Sequence, residues 1–185
     1  PGVEAYGRMP FFKNVQISPS GERFFVFARP DDAGEYAFMV FENTPEGLKN
    51  IYSTLQTEDL RLNRSFWKRD DQIIISIKAP SKRWGTETVE TRLFSIDPEE
   101  GEFVPLFRNP RSETVLPVQI QDRIANRLKD DPDRILVTYY KDGLSGLYSV
   151  YTNNARNHKT VKGGTRGIDY WYTDGTGRLR GGWGI

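Results

Sequence analysis

The stretch Trp171-Tyr172-Thr173-Asp174-Gly175-Thr176-Gly177-Arg178-Leu179 ends an aromatic run, turns tightly on Asp and Gly, and restarts an apolar run after an Arg. The same order of events (an aromatic or apolar residue, a tight turn of Asp, Gly, Ser or Pro, a polar residue that is usually Arg, and a new apolar run) occurs three times earlier in the chain. It is found at Ile17-Ser18-Pro19-Ser20-Gly21-Glu22-Arg23-Phe24-Phe25-Val26, at Trp67-Lys68-Arg69-Asp70-Asp71-Gln72-Ile73-Ile74-Ile75, and at Leu128-Lys129-Asp130-Asp131-Pro132-Asp133-Arg134-Ile135-Leu136-Val137. In the first copy Pro19 presets φ, Ser18 can bond the backbone ahead of it, and Gly21 tolerates positive φ.

Working outward from these turns, the chain resolves into short strands joined by tight connections. Residues 1–10 read as an opening loop, followed by strands over Phe11–Ile17, Arg23–Arg29, Glu35–Glu42 and Leu48–Tyr52, with a hairpin turn at Asp31–Gly34 and another at Asn43–Gly47. The next round runs Leu60–Trp67, Gln72–Lys78, a longer loop at Ala79–Thr86, Thr88–Asp97, a turn at Pro98–Gly101, and Glu102–Phe107. In the third round Ile120, Ile124 and Leu128 stand four apart, which is helical spacing, whereas register with the other copies predicts a strand over Val118–Leu128. Arg134–Lys141, a hairpin at Asp142-Gly143, Leu144–Tyr151, a turn at Thr152–Asn157 and His158–Val161 complete that round. Gly167–Thr173 and Arg178–Trp183 open a fourth.

A second pattern recurs in step with the first. Phe38-Met39-Val40-Phe41-Glu42, Leu93-Phe94-Ser95-Ile96-Asp97 and Leu147-Tyr148-Ser149-Val150-Tyr151 are variants of one strand, each followed by a turn and a short strand. Frequent turns also suit a β-sandwich, but two patterns repeating together favour units of about 45–60 residues, the size of propeller blades. The predicted fold is all-β: a partial β-propeller of about three and a half four-stranded antiparallel blades, near 11–55, 58–108, 115–163 and a half blade at 166–185. One such sheet cannot bury both faces alone, and stacking covers them. An open array leaves an apolar face at each end, so the remainder of a longer protein, or self-association through the open blade ends, is expected to cover it.

Composition limits the function classes. The 185 residues carry 26 Lys and Arg against 25 Asp and Glu, a net charge of +1 with the signs interleaved. That disfavours a dedicated nucleic-acid surface or a polybasic membrane patch. There is no cysteine, which excludes disulfides and thiolate metal sites. No apolar run approaches the roughly 18 residues of a membrane helix. The chain starts at Pro1 with no basic-then-apolar leader, so it reads as an excised or mature fragment, and any native targeting signal would lie outside it; periplasmic, secreted and cytoplasmic locations all remain open.

The turn Ser18-Pro19-Ser20-Gly21 resembles the Ser-Pro-Asp-Gly turn frequent in the propellers of the prolyl oligopeptidase family of serine peptidases. Leu128–Val137, with Asp130-Asp131-Pro132-Asp133, is similar to a stretch in the dipeptidyl- and acylaminoacyl-peptidase branch. So is Tyr170–Arg180, where Trp171, Asp174, Gly177 and Arg178 fit a Trp-x-x-Asp-x-x-Gly-Arg pattern. The resemblance implies an N-terminal propeller, usually seven-bladed, above a C-terminal α/β-hydrolase domain, admitting only small peptides to the site between them. This chain would be the first half of such a propeller, with that hydrolase domain and peptide substrates as its partners. The family's catalytic residues belong to the C-terminal domain, so none is carried onto this sequence. The alternative is a free-standing propeller module that binds a protein or ligand.

Direct searches for chemistry assign no catalytic, cofactor or metal residue. Gly143-Leu144-Ser145-Gly146-Leu147 approaches the Gly-x-Ser-x-Gly elbow but lacks its final Gly and lies on a hairpin. His158, the single histidine, reads as an exposed turn residue beside Asn157 and Lys159. Asp70-Asp71 and Asp130-Asp131-Asp133 lack regular calcium-loop spacing and read as turn formers. Gly163-Gly164-Thr165-Arg166-Gly167 has no P-loop Lys-Ser/Thr and reads as a blade linker. Asn63-Arg64-Ser65 fits a glycosylation acceptor, which has meaning only in a eukaryotic secreted context. Trp67 and Trp171 hold one repeat position and are assigned to packing between blades, whereas Trp84, beside Gly85, is the candidate for contact with a partner.

Overall fold

The computed structural model describes residues 10–29, 35–55, 61–107, 118–141, 143–154 and 158–184. The fold is all-β, with no helix among these residues. Three four-stranded antiparallel sheets follow one another, each paired in chain order. The first holds β1 (Phe12–Ile17), β2 (Arg23–Ala28), β3 (Ala37–Thr44) and β4 (Gly47–Leu55). The second holds β5 (Arg61–Arg69), β6 (Gln72–Arg83), β7 (Thr86–Ile96) and β8 (Phe103–Pro105). The third holds β9 (Ile124–Asn126), β10 (Arg134–Lys141), β11 (Leu144–Tyr151) and β12 (His158–Thr165). A two-stranded pair, β13 (Tyr170–Thr173) and β14 (Leu179–Trp183), ends the array. All four turns singled out in the sequence join the first strand of a sheet to its second.

The apolar pattern of the second strands explains the stacking. Successive side chains on a strand point to opposite faces. In β6, Ile73 and Ile75 enter a core with Phe25, Phe27, Phe38 and Val40 of the first sheet, while Ile74 enters another with Ile135 and Val137 of the third. In β10 the same alternation sends Ile135 and Val137 back to the second sheet and Leu136 forward to Trp171 of the β13–β14 pair. A strand with neighbours on both faces must be apolar at every position, which is why these strands read as continuous runs. Burying each such side chain contributes about 1.5–3 kcal/mol. The sheets therefore stack face to face in chain order, a propeller-like arrangement.

The first-to-second turns are tied from sheet to sheet. The Ser20 amide donates to Asp70 Oδ1 at 2.8 Å, Arg69 Nη1 meets Asp133 Oδ1 at 3.1 Å, and Asn126 Nδ2 donates to the Asp174 carbonyl at 2.8 Å. In the last turn Asp174 Oδ1 accepts from the Thr176 hydroxyl at 2.7 Å and from the amides of Thr176 and Arg178. These bonds, the Thr176 hydroxyl foremost, hold its carboxyl down at about 2.

Several expectations need correction. The loop predicted at Ala79–Thr86 is a hairpin: β6 and β7 pair through Arg83↔Thr86, turning on Trp84 and Gly85, whose φ values are 48° and 84°. The two positive φ values let a two-residue turn follow the strand twist, a signal obscured because Trp is rare in that conformation. Only Ile124–Asn126 of the predicted Val118–Leu128 strand pairs with β10; the residues before it cross the second sheet instead. Gly163 and Gly164 lie inside β12 and are not a linker. His158 begins β12 instead of lying in a turn: its Nε2 stands 3.0 Å from the Leu106 carbonyl and its ring meets Phe107 edge-on. The opening loop at 1–9, the hairpin turn at 31–34, and residues 30, 56–60, 108–117, 142, 155–157 and 185 lie outside the described residues.

Candidate functional site

Because every sheet is paired in chain order, its first strand is an edge. The edge strands β1, β5 and β9 line one open cleft of about 650 Å³, within the range of about 300–1,000 Å³ typical of ligand clefts. A second hollow of about 450 Å³ continues beside β9 and β13. One end of each stacked sheet thus contributes to a shared concave surface.

Each edge strand supplies one cation to the main cleft: Lys13 from β1, Arg64 from β5, and Arg127 immediately after β9. Lys13 Nζ sits 3.4 Å from the centre of the Tyr36 ring. The Arg127 guanidinium lies 4.3 Å from that of Phe66. Ring faces attract cations without neutralising them. Burial lowers the Lys13 amine below its ordinary value, with Arg61 acting the same way and Glu35 opposing. Burial also lowers the Arg127 guanidinium. Among the described residues no Asp or Glu lines this cleft, and none forms an ion pair with these three cations.

The polar residues between the cations fix the walls. Asn14, at φ 53°, donates to the Ser65 hydroxyl at 3.2 Å, and Gln16 Nε2 donates to the Ser65 carbonyl at 3.0 Å, joining β1 to β5. Behind β5 lies Asp122, 6% exposed. Its Oδ2 accepts from the Ser76 hydroxyl at 2.7 Å and from Asn63 Nδ2 at 2.9 Å, and its Oδ1 accepts from the Thr91 hydroxyl at 2.8 Å. Those donors sit on β6, β5 and β7. Residues 118–123 therefore form a strap that returns the chain across the second sheet and delivers β9 to the cleft.

Lys68 ties the other end of the wall. Its Nζ donates to the carbonyls of Arg127 and Leu128 at 2.5 and 2.8 Å. Burial lowers its amine from 10.5 to about 8, with Asp131 and Asp133 opposing. Between pH 8 and 10.5 the unfolded chain binds a proton that the folded chain has released, so this group makes stability rise with pH across that window. The difference in denaturation midpoint between the wild-type chain and Lys68→Met, followed from pH 7 to 10, is expected to grow in favour of the wild type. A difference independent of pH contradicts the lowered amine.

The residues flagged in the sequence fall elsewhere. Ser145 Oγ is buried on β11 and accepts the Trp171 indole N–H at 3.0 Å, while His158 stands on β12 against Leu106 and Phe107. Asp71 pairs with Arg69, Asp131 Oδ1 accepts the Asp133 amide, and Asp133 reaches Arg69. Among the described residues no group of three or more His, Asp or Glu is placed to hold a metal. Asn63 is committed to Asp122. Trp84 is 88% exposed at the tip of the β6–β7 hairpin. Sequence reasoning missed Lys13, Arg127, Lys68 and Asp122, and met Arg64 only within a glycosylation triplet. Aligning the first strands by their turns does not single these cations out, because β5 alone carries Arg61, Arg64, Lys68 and Arg69 and the three stand at different distances from their turns. Nothing local marks Asp122, since its partners lie 31 to 59 residues away.

No protein-family model, curated protein or solved structure matches this chain.

Proposed function

We propose that the chain is a non-catalytic propeller segment that selects small peptides for an α/β-hydrolase domain, as in serine peptidases of the prolyl oligopeptidase type. The observation that carries this reading is the cleft itself: one edge strand from each stacked sheet faces a common open hollow. A surface built from successive repeats narrows or widens with the number of sheets, which suits filtering by size better than bond cleavage. The short turn motifs at Ser18–Gly21 and Tyr170–Arg180 support the family assignment.

The outer face of the first sheet also supports a larger assembly. Phe24 and Val26 occupy the register of Ile73 and Ile75 in β6, the positions that meet a preceding sheet. Phe24 stacks on Phe41 at 5.2 Å, and Ile17, paired with Phe24, is exposed. Another sheet, or a second copy of the chain, would cover the exposed Ile17 and half-buried Phe24; Val26 is already buried.

Reading the parent frame past Ile185 tests the proposal. Further blades followed by Gly-x-Ser-x-Gly are expected, with peptidase activity in the full-length parent and none in this chain on an aminoacyl chromogenic peptide. A frame that closes after a few more blades overturns the peptidase and leaves the binding module. Activity in the chain alone overturns the non-catalytic role.

A further inference from the structure

The cleft between β1, β5 and β9 gathers charge of one sign in a concave site. The whole sequence is nearly neutral, 26 basic against 25 acidic residues, yet among the described residues the cleft is lined by Lys13, Arg64 and Arg127 and by no carboxylate. Five arginines elsewhere are held by carboxylates: Arg23 by Glu42 and Glu99, Arg69 by Asp71 and Asp133, Arg83 and Arg92 by Glu90, and Arg180 by Asp174. In the cleft two of the three rest on ring faces. All three are exposed, so a ligand reaches them. A concave site of one sign, with low-dielectric walls, focuses its field on ligands of the opposite charge.

We propose that this cleft binds short acidic peptides, its three cations meeting carboxylates of the bound chain. The preference rests on the peptide-selecting role proposed above and specifies its substrate class. Single-stranded nucleic acid fits less well. Binding it calls for exposed aromatic platforms on which bases stack, and the rings lining this cleft, Phe27 and Phe66, are buried. Carboxylates could come from Asp and Glu side chains or from the peptide C-terminus, and both present the same oxyanion to Lys13, Arg64 and Arg127.

Fluorescence anisotropy on the 185-residue chain tests this with labelled octapeptides. One is Glu-rich with an amidated end, one is neutral with a free C-terminus, one is Lys-rich, and a single-stranded oligonucleotide is run beside them. The Glu-rich peptide is expected to bind, and to bind several-fold more weakly when salt is raised from 50 to 300 mM, as about 10 Å screening at 0.1 M requires. Lys13→Gln, Arg64→Gln and Arg127→Gln should each weaken it about two- to fivefold, as exposed charge pairs do, and the triple variant about tenfold or more. The neutral peptide binding as tightly would mean that the terminal carboxylate alone is recognised, and overturns the preference for acidic peptides. Equal binding of the Lys-rich peptide, no binding of either carboxylate peptide, a preference for the oligonucleotide, or an unaffected triple variant with wild-type stability overturns it. A parent frame lacking a hydrolase leaves this result standing. A hydrolase-bearing parent whose propeller ignores acidic peptides removes this inference and spares the gating role.

Discussion

Asp122→Ala is expected to lower stability by about 3–5 kcal/mol, the largest loss expected from any single polar side chain described here. The side chain is almost wholly buried and accepts three hydrogen bonds, from Asn63, Ser76 and Thr91. Bonds to a carboxylate contribute roughly 1.5–3 kcal/mol each, and donors left buried without partners add a penalty. The two hydroxyls can rotate toward other acceptors, which keeps the total below the simple sum. Asp122→Asn separates bonding from shape. Its amide oxygen can serve Asn63 and Ser76 while its NH2 donates to Thr91 Oγ1, which accepts from the Gln121 amide at 3.0 Å and has a second lone pair. The Asn variant is therefore expected to lose less than half as much. Urea titration with an unchanged slope measures both. Equal losses, or both under about 1 kcal/mol, would mean that the strap is not held through this residue.

The contrast with the rest of the fold shows what a sequence can carry. The turns were legible because their chemistry is local: Pro19, Gly21, Asp174 and Gly177 act within a few residues of themselves. The second strands were legible because burial on two faces leaves an unbroken apolar run such as Ile73-Ile74-Ile75. The strap was not, because Gln119, Gln121 and Asp122 look like any polar loop until β5, β6 and β7 supply their partners. The helical spacing of Ile120, Ile124 and Leu128 corresponds to no helix for a related reason. Those positions serve different neighbours: Ile120 bridges Thr91, Ile124 pairs with Val137, and Leu128 packs with Leu136 and Trp171. The cleft was hidden for a third reason. Lys13, Arg64 and Arg127 are unremarkable singly and acquire meaning only when three edges are laid side by side.

Trp67 and Trp171 offer the sharpest test of that side-by-side arrangement, because they occupy equivalent places and should fail differently. Each stands on the first strand of its unit, three residues before the turn Asp, and each is buried, at 9% and 7% exposure. Each indole N–H donates to the preceding sheet: Trp67 to the Gln16 carbonyl at 3.1 Å, Trp171 to Ser145 Oγ at 3.0 Å. Truncating a buried Trp to Ala costs about 3–5 kcal/mol. Trp67→Ala opens the large core between the first and second sheets, where Trp67 packs on Phe25 at 5.9 Å between ring centroids. It is expected to lower the global denaturation midpoint. Trp67→Phe, which refills most of the space but leaves the Gln16 carbonyl without its donor, should lose only about 1–2 kcal/mol. Trp171 instead anchors a two-stranded pair through a small cluster with Leu136 and Leu147. In a stack where each unit touches only its neighbours, losing an end contact releases the end. Trp171→Ala is therefore expected to speed amide exchange across β13 and β14 while β2, β6 and β10 keep their protection. Uniform loss of protection in both variants would show one indivisible core, and the arrangement of sheets coupled in series would have to be abandoned.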